Sequence, residues 1–195
     1  SEALMSGAGP IQVARAIRDS IGLTERQRQA VANYRRGLEM GDTAVLNRDL
    51  RDRRFDASVQ RMLDDDEPLG AERISRMVAQ YRNRYLQYRA EVIARTETLR
   101  VANQAQVEAL TQVLEQVELP AGAVLRTWRA TQDARTRDTH AAMDGQEVRG
   151  LTEAFESPSG ARLMFPGDTS LGADASEVIQ CRCVVTNEVD PALAG

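Results

Sequence analysis

Apolar residues recur at helical spacing through the first seventy positions of the chain. One stripe runs from Ile11 to Ile21 and ends at the following glycine. Thr24, with Gln27 three residues later, forms a capping-box signature that predicts the start of a second helix. Two further short stripes lie between residues 46 and 63, before an acidic run that ends in proline. The pattern predicts that residues 1–70 form several short helices closed by a solvated linker.

The strongest periodicity begins at Ala71 and runs toward Pro120. Its apolar positions step by three and four residues, through Ile74, Met77, Val78, Tyr81, Tyr85, Tyr88 and Val92. An unbroken helix of this length would measure about 70 Å, too long for a small globular domain to cover. We therefore expect either a break near residues 102–105, where the stripe fades, or a helix that packs on a partner protein, chiefly through the stripe from Ile74 to Val92. The tyrosines also fit a simpler interpretation, a helix core whose hydroxyl groups reach water.

The pattern changes after Pro120, where Gly, Pro, Asp and Ser separate short apolar segments. Residues 123–129 fit a short helix or a strand, and residues 133–140 are polar and turn-rich. Three β-strand candidates follow, around residues 146–148, 161–165 and 183–186. The chain is therefore predicted to be α+β. A mainly helical region (residues 1–70) and a long helix or helix pair (71–120) precede a small, loop-rich module with short strands (121–195).

Composition limits the class of protein. Hydrophobic residues make up 42% of the chain but aromatic residues only 4%, so the core must be largely aliphatic. The net charge of −4 gives no overall basic field of the kind that nucleic-acid-binding proteins present. No apolar run approaches the ~20 residues of a membrane span, and the sequence shows no secretory leader. We expect a soluble protein of intracellular origin that contacts no membrane.

One group of arginines in the helical region suggests a contact with DNA phosphates. The group consists of Arg48, Arg51, Arg53, Arg54 and Arg61. Interleaved aspartates, Asp49, Asp52 and Asp56, largely cancel its charge. We therefore expect at most a non-specific, salt-sensitive contact with double-stranded DNA.

The rarest residues gather in the last third of the chain. The only tryptophan, Trp128, the only histidine, His140, and both cysteines, Cys181 and Cys183, lie there among aspartates and arginines. Two cysteines one residue apart cannot form a disulfide framework, so reduced thiols are expected. If they lie on a strand, both thiols point to the same face.

Two interpretations of these thiols stay open. Cys181, Cys183 and His140, with one oxygen from a nearby aspartate, would give the ligand types that Zn²⁺ accepts. The aspartates within reach in the sequence are Asp133, Asp144 and Asp168. Against zinc, Cys-x-Cys is a poorer chelate than Cys-x2-Cys, and the chain has no second cysteine pair. The other interpretation is a pair of buried thiols that pack as small hydrophobic groups beside a hydrogen-bonded histidine.

Four motifs follow one another between residues 93 and 183. They are Ile93-Ala94-Arg95-Thr96-Glu97, then Trp128-x4-Asp133-x-Arg135-x-Arg137-x2-His140-x3-Asp144-Gly145, then Phe165-Pro166-Gly167-Asp168, and finally Cys181-Arg182-Cys183. In order and spacing the chain resembles the Mu F-like family of phage head morphogenesis proteins, also called minor capsid or minor head proteins. It departs from the family at Gln180, where Asn is common, and at Ala105, where the helix often has Gly. Both changes bear on turn geometry more than on chemistry.

The resemblance implies a component of a tailed phage, or of a phage-derived particle such as a gene transfer agent. Family members associate with the portal vertex inside the procapsid and act in head assembly, DNA packaging or DNA delivery. The implied partners are the portal protein and proteins of the capsid interior. The implied location is the virion, after assembly in the cytoplasm of a bacterial host.

Members of this family are not established enzymes, and we expect none here. The sequence has no Gly-rich phosphate loop, no His-x-Glu pair and no serine elbow. The alternative from a different class is a zinc-containing hydrolase or nuclease that acts on DNA within the head.

The charged motif residues have a structural interpretation. Bridges from Arg95 to an aspartate and from Arg137 to Glu97 would hold the loop of residues 133–144 onto the long helix, because a guanidinium fork matches a carboxylate. Trp128 would anchor the loop from beneath, with its indole N–H hydrogen-bonded locally. The predicted structural motif consists of Arg95, Glu97, Trp128, Asp133, Arg137, Asp144 and Gly145.

Overall fold

The structure of the protein, a computed structural model, describes residues 7–65 and 67–190. The helices in these ranges are α1 (Pro10–Ile17), α2 (Glu25–Met40), α3 (Asp56–Asp65), α4 (Ala71–Gln116), α5 (Asp138–Ala142) and α6 (Ala175–Val178). The strands are β1 (Val124–Arg129), β2 (Glu147–Arg149), β3 (Phe155–Glu156), β4 (Arg162–Leu163) and β5 (Val184–Val189). Short 3-10 turns occupy Thr43–Asn47, Arg53–Phe55 and Ala121–Ala123. The predicted α+β class, with a long helix ahead of short strands and loops, is confirmed.

The chain divides into two compact units, an N-terminal unit of residues 1–91 and a C-terminal unit of residues 92–195. The division falls inside α4, so each unit contains part of this helix. The domain limits expected from the sequence, near residues 70 and 120, lie at the two ends of α4 and not at this division. The units are described separately below.

Helix α2 of the N-terminal unit begins where its capping signature predicts. The Thr24 side chain accepts a hydrogen bond from the Gln27 amide at 3.3 Å, and the Gln27 side chain accepts one from the Thr24 amide at 3.0 Å. These bonds pair two donors that the first turn of a helix leaves free. At the other end, Gly41 takes a left-handed conformation with φ of +67°. The capping box is confirmed.

The apolar stripe of α4 forms the core of the N-terminal unit. Its first four members are buried against α2, α3 and the turn between them, in a cluster of Tyr34, Leu38, Val45, Val59, Met62, Ile74, Met77, Val78 and Tyr81. The Tyr81 and Tyr85 hydroxyls lie 3.5 Å apart, and Tyr88 is half exposed. The helix-core interpretation is therefore confirmed for this part of the stripe. The expectation that the stripe contacts a partner is wrong for Ile74 to Tyr81, because the chain itself covers them.

Helix α4 continues without a break through residues 102–105. This part of α4 belongs to the C-terminal unit, and the apolar stripe fades there because the helix forms hydrogen bonds within that unit. Buried Asn103 donates to the Pro166 carbonyl at 2.8 Å, and Gln106 donates to the Val185 carbonyl at 3.4 Å. The expected break is wrong, since polar residues in a helix can mark a polar contact as well as an end.

The C-terminal unit is built on a three-stranded antiparallel sheet in the order β2-β1-β5. Trp128 on β1 is opposite Val185 on β5. Strands β3 and β4 form a separate antiparallel pair. Strands β2, β4 and β5 occur where the sequence predicts them, and residues 123–129 form a strand rather than a helix. Strand β3 was not predicted from the sequence, because two residues are too few to show alternation.

Candidate metal centre

Three ligand-type side chains meet inside the C-terminal unit. The Sγ atoms of Cys181 and Cys183 lie 3.5 Å and 3.4 Å from the Nδ1 atom of His140. All three ligand atoms are within 4.8 Å of one another, and all three residues are buried. The structure thus brings together the residues that the sequence proposed as metal ligands, across about forty positions of the chain.

The two cysteines reach His140 from an irregular segment and not from a strand. Residues 181–183 follow α6 and precede β5. Between them, Arg182 points outward, where its guanidinium binds the Asp133 carboxylate at 2.6 Å and its carbonyl accepts from the Thr131 hydroxyl at 2.8 Å. The outward anchoring of Arg182 leaves both neighbouring thiols on the inner side. Both thiols therefore point to the same side of the segment, as expected, although the segment is not a strand.

The histidine ring is fixed from its other nitrogen. His140 Nε2 lies 2.9 Å from the Glu177 carboxylate, and both side chains are buried. A carboxylate only accepts hydrogen bonds, so Nε2 carries the proton in this contact. Nδ1, which faces the thiols, is then free to act as an acceptor or a ligand. Glu177 was not singled out from the sequence. Its position on α6 offers no pattern that would have identified it.

The two thiols influence each other strongly. The hydrogen bond from Cys181, together with His140, lowers the pKa of Cys183, although burial opposes this shift. The same hydrogen bond and burial raise the pKa of Cys181. The pair thus favours one thiolate beside one thiol, because two adjacent thiolates would repel each other.

The aspartates proposed as the oxygen ligand have other partners. Asp133 binds Arg182, which lowers the pKa of the Asp133 carboxyl. Asp144 accepts from the Ala130 amide at 2.8 Å and from the Gln132 side chain at 2.6 Å. Asp168 accepts from the Met164 and Ser170 amides at 2.8 Å each. Each aspartate is thus bound to other groups of the protein, and the cluster of ligand atoms includes none of them.

Trp128 forms the apolar floor of the site. Its ring is fully buried and meets the His140 ring edge-on, with centroids 5.4 Å apart, and the Phe155 ring at 5.3 Å. The predicted role as an anchor agrees with this position. The predicted local bond of the indole does not, because Nε1 has no hydrogen-bond partner among the residues that the structure describes. Ring packing, and not a hydrogen bond of the indole, therefore holds the Trp128 side chain in place.

The bridges predicted between the charged motif residues do not form. Glu97 pairs with Arg100 at 3.0 Å, one turn along the helix, and Arg95 is exposed. Arg137 donates to the Ile179 carbonyl. Within the Arg95-Thr96-Glu97 segment, Thr96 joins the helix to the turn that contains Gln180. Its hydroxyl accepts a hydrogen bond from the Gln180 amide at 3.0 Å and donates one to the Val92 carbonyl. A short threonine fits this close approach, where longer charged side chains extend toward solvent.

The Phe165-Pro166-Gly167-Asp168 turn packs on the same helix. Gly167 has a φ of +87°, and a Cβ atom there would lie 3.5 Å from the Cβ of Arg100. Gly145 has a similar φ of +79° and donates its amide to the Trp128 carbonyl at 2.9 Å. Both glycines occupy backbone conformations that other residues adopt at a cost. The motif glycines therefore shape turns that frame the site.

The comparisons with known proteins bear on these motifs directly. The family model described as Phage Mu protein F like protein matches residues 69–186. The match covers more than half of the chain and includes α4, strands β1 to β4, the first residues of β5 and all three ligand-type residues. The chain belongs to the Phage Mu protein F like family. The resemblance seen in the sequence is confirmed, and it makes this chain a member of a family of phage head proteins, found in the virion. Neither the curated proteins nor the solved structures gave a match.

One of the two positions where this chain departs from the Mu F-like pattern, Gln180, has a strained backbone. Gln180 has a φ of +57°, in the left-handed region. Asn enters this region more readily than most residues because its short side chain can hydrogen-bond locally. The asparagine common in the family before the first cysteine therefore suits the turn better than Gln180 does.

One buried residue, Arg126, was not expected from the sequence. It lies in the centre of β1 and is fully buried. Its guanidinium donates to the Gly150 carbonyl at 2.7 Å, to the Met164 carbonyl at 2.8 Å and to the Glu153 carbonyl. Burial lowers the pKa of Arg126. Arginine within a strand is usually exposed, and the alternation along β1 was too irregular to indicate otherwise.

The structure also bears on the membrane question. Among residues 7–65 and 67–190, no helix has both the length and the apolar character that crossing a bilayer requires.

Proposed function

We propose that this phage head protein is a minor head protein that binds the portal protein, or the inner capsid surface beside it. It acts there without catalysis, in head morphogenesis, DNA packaging or DNA delivery. The proposal rests on membership of the Phage Mu protein F like family. A tailed phage and a gene transfer agent are equally compatible with it.

The single observation that supports a non-catalytic role is how the charged motif residues use their hydrogen bonds. Asp144, Asp168 and Arg137 bind main-chain groups of the C-terminal unit. Asp133 binds Arg182 and the Arg135 amide. A catalytic acid or base needs a free position toward a substrate. These side chains instead stabilise turns.

The contact with the portal or shell needs a surface that the chain does not cover itself. Ile74 to Tyr81 are buried. Among residues 7–65 and 67–91, the large apolar side chains that are most exposed are Met40, Ile11 and Tyr88, at 75%, 66% and 49%. They lie on three different helices. We infer that partner binding uses this unit through these residues rather than through the buried stripe.

Co-expression of the full chain with the portal protein from the same genome tests the proposal. We expect the two proteins to co-purify, and a parallel arm with the major shell protein distinguishes the two partners. The triple variant Ile11→Ser, Met40→Ser, Tyr88→Ser should weaken co-purification. The matched control, Leu171→Ser, Ile179→Ser, Val184→Ser, changes apolar residues of the C-terminal unit that are 45%, 41% and 46% exposed, and it should bind as the unchanged chain does. If neither partner is retained, the partner assignment is wrong.

Contact with DNA is a separate part of the proposal. Of the arginines in the helical region, Arg51 pairs with Asp56 at 3.0 Å and Arg54 with Asp52 at 2.6 Å. These pairs leave little net positive charge for phosphate. We therefore propose only weak binding that decreases with salt. Incubation of the zinc-supplemented full chain with plasmid DNA should leave the DNA intact. Cleavage that His140→Ala abolishes would contradict the non-catalytic role and favour the nuclease.

A further inference from the structure

We propose that Cys181, Cys183 and His140 bind one Zn²⁺ ion, through both Sγ atoms and Nδ1, and that Glu177 orients the histidine ring for this purpose. The inference does not depend on the partner of the protein. It concerns a site within the C-terminal unit alone.

The first argument is the spacing of the ligand atoms. A tetrahedral zinc ion with bonds of about 2.3 Å to sulfur and about 2.0 Å to nitrogen places each sulfur about 3.5 Å from the nitrogen. The two Sγ–Nδ1 distances here are 3.5 Å and 3.4 Å. An ion can therefore enter between the three atoms with little movement of the side chains.

The second argument is the hydrogen bond on the far side of the ring. Histidine ligands of zinc usually donate their other N–H to a carboxylate or a carbonyl, which fixes the tautomer and the ring orientation. His140 Nε2 makes such a bond to Glu177 at 2.9 Å, and Ser157 Oγ lies 3.4 Å from the other carboxylate oxygen. Two buried thiols that merely packed as hydrophobic groups would not require this arrangement.

The third argument is the choice of ion. Thiolate and imidazole together are ligands that favour zinc over magnesium or calcium. Two thiolates neutralise the charge of Zn²⁺, which lowers the cost of burying the ion.

A small cavity adjoins the proposed site. His140 and Cys183 line this cavity together with Thr131, Thr136, Arg137 and Gln180, and its volume is about 10 Å³. That volume is close to the minimum that holds one water molecule, and the lining is polar. We infer that water completes the tetrahedron, since Asp133, Asp144 and Asp168 are bound elsewhere.

Metal analysis of the full chain, purified under reducing conditions from zinc-supplemented cells, tests the site. We expect about one zinc per chain, as in other sites of this type. His140→Ala, Cys181→Ser and Cys183→Ser should each lose the metal. Glu188→Gln is the matched control, because it removes an exposed carboxylate of the neighbouring strand β5 but no ligand and no contact of the site. Glu188→Gln should keep its zinc.

The ligand variants can fail to fold, so a second measurement uses the unchanged chain. Replacement of zinc by Co²⁺ should give the visible bands of a tetrahedral ion and a near-ultraviolet band from thiolate ligands. It should also quench Trp128, whose ring centroid is 5.4 Å from that of His140. Glu177→Gln should weaken the affinity by about 10-fold in a chelator competition, while saturating zinc still gives full occupancy. A folded full chain that binds no zinc, or a cobalt spectrum without the thiolate band, would overturn the proposal.

Discussion

The two units of this protein are stabilised in different ways. The N-terminal unit has a continuous apolar core, in which α4 contributes Ile74, Met77, Val78 and Tyr81. The C-terminal unit has a smaller apolar cluster around Trp128, and it also buries charged or polar side chains. These are Asn103, Arg126, Thr127, His140, Ser157, Asp168 and Glu177.

The difference shows where specificity comes from in each unit. An aliphatic core tolerates substitutions that keep its volume. A buried hydrogen bond has one geometry and a partner that cannot be replaced, and an unpaired buried group costs about 1–3 kcal/mol. We expect the N-terminal unit to respond to lost volume and the C-terminal unit to lost hydrogen bonds. Three of the four predictions below test this contrast, and the third concerns its exception, the buried Asp52 of the N-terminal unit.

The largest effect is expected from Arg126→Met. The change leaves three main-chain oxygens of the C-terminal unit without their donor, while relieving the cost of a buried guanidinium. The free energy of unfolding should fall by about 4 kcal/mol, measured in urea by the fluorescence of Trp128. Arg129→Met, at the exposed end of the same strand, is the control and should change stability by less than about 0.5 kcal/mol. Equal stability of the two variants would contradict the role given to Arg126.

The second prediction concerns the apolar core. Leu38 is fully buried, and Leu38→Ala should lower the free energy of unfolding by about 3 kcal/mol. Because Trp128 reports on the C-terminal unit, circular dichroism of the helices should shift more than the fluorescence does. Met40→Ala, on an exposed position of the same helix, should shift neither. Equal shifts in both signals would mean that the two units unfold as one, and the contrast between them would lose its basis.

The third prediction is a pH dependence of the N-terminal unit. Hydrogen bonds from Arg54 lower the pKa of Asp52 from its usual 3.8 to about 2, against the effect of burial. The ionised carboxylate therefore stabilises the fold above about pH 4, and this contribution disappears as the pH falls through 2. Asp52→Asn should cost about 1–2 kcal/mol at pH 7, and its difference from the unchanged chain should shrink between pH 4 and 2 in denaturant titrations.

The control for this titration is Asp49→Asn. Asp49 is exposed and lies three residues away in the same segment. Its substitution should leave the stability curve parallel to that of the unchanged chain. If Asp52→Asn also gave a parallel curve, the ion pairs of Asp52 with Arg54 and Arg84 would contribute nothing to folding.

The smallest effect has the opposite sign. Gln180→Asn relieves part of the cost of a left-handed backbone and should stabilise the C-terminal unit by about 0.5 kcal/mol. Gln104→Asn, at an exposed position inside α4, should instead destabilise by a few tenths of a kcal/mol, because Asn is the poorer helix former. Thermal unfolding of both variants compares them. A loss of stability in Gln180→Asn would show that the turn uses the longer side chain.

The sequence allowed the helical part to be predicted because its signals are local. The capping box at Thr24 and the three-four spacing along α4 are each set by residues within one or two turns. The stripe could not reveal what would cover it. Whether Ile74 and Tyr81 pack on α2 or on another protein depends on the tertiary fold, and that part of the expectation was wrong.

The candidate site was predictable by residue type and not by contact. The rarity of Trp128, His140 and the two cysteines indicated one local structure, and the structure brings them together. The helix contact was assigned to Arg95 and Glu97, but Thr96 between them makes it. Arg95 and Glu97 were singled out in the sequence because they are charged. The hydrogen bond of Thr96 depends instead on a distance of a few ångströms, which only the structure shows. Glu177 and Arg126 carry no sequence signal, because burial decides their roles.

The hydrogen bonds of Arg126 have a consequence for how the sequence of this protein can vary. Its three acceptors are carbonyl oxygens of Gly150, Glu153 and Met164, which every amino acid possesses. Substitution of the side chains at positions 153 and 164 therefore leaves these hydrogen bonds intact, whereas substitution of the arginine removes all of them. Among relatives, the segment of residues 150–164 should therefore vary in sequence while the arginine at position 126 stays the same.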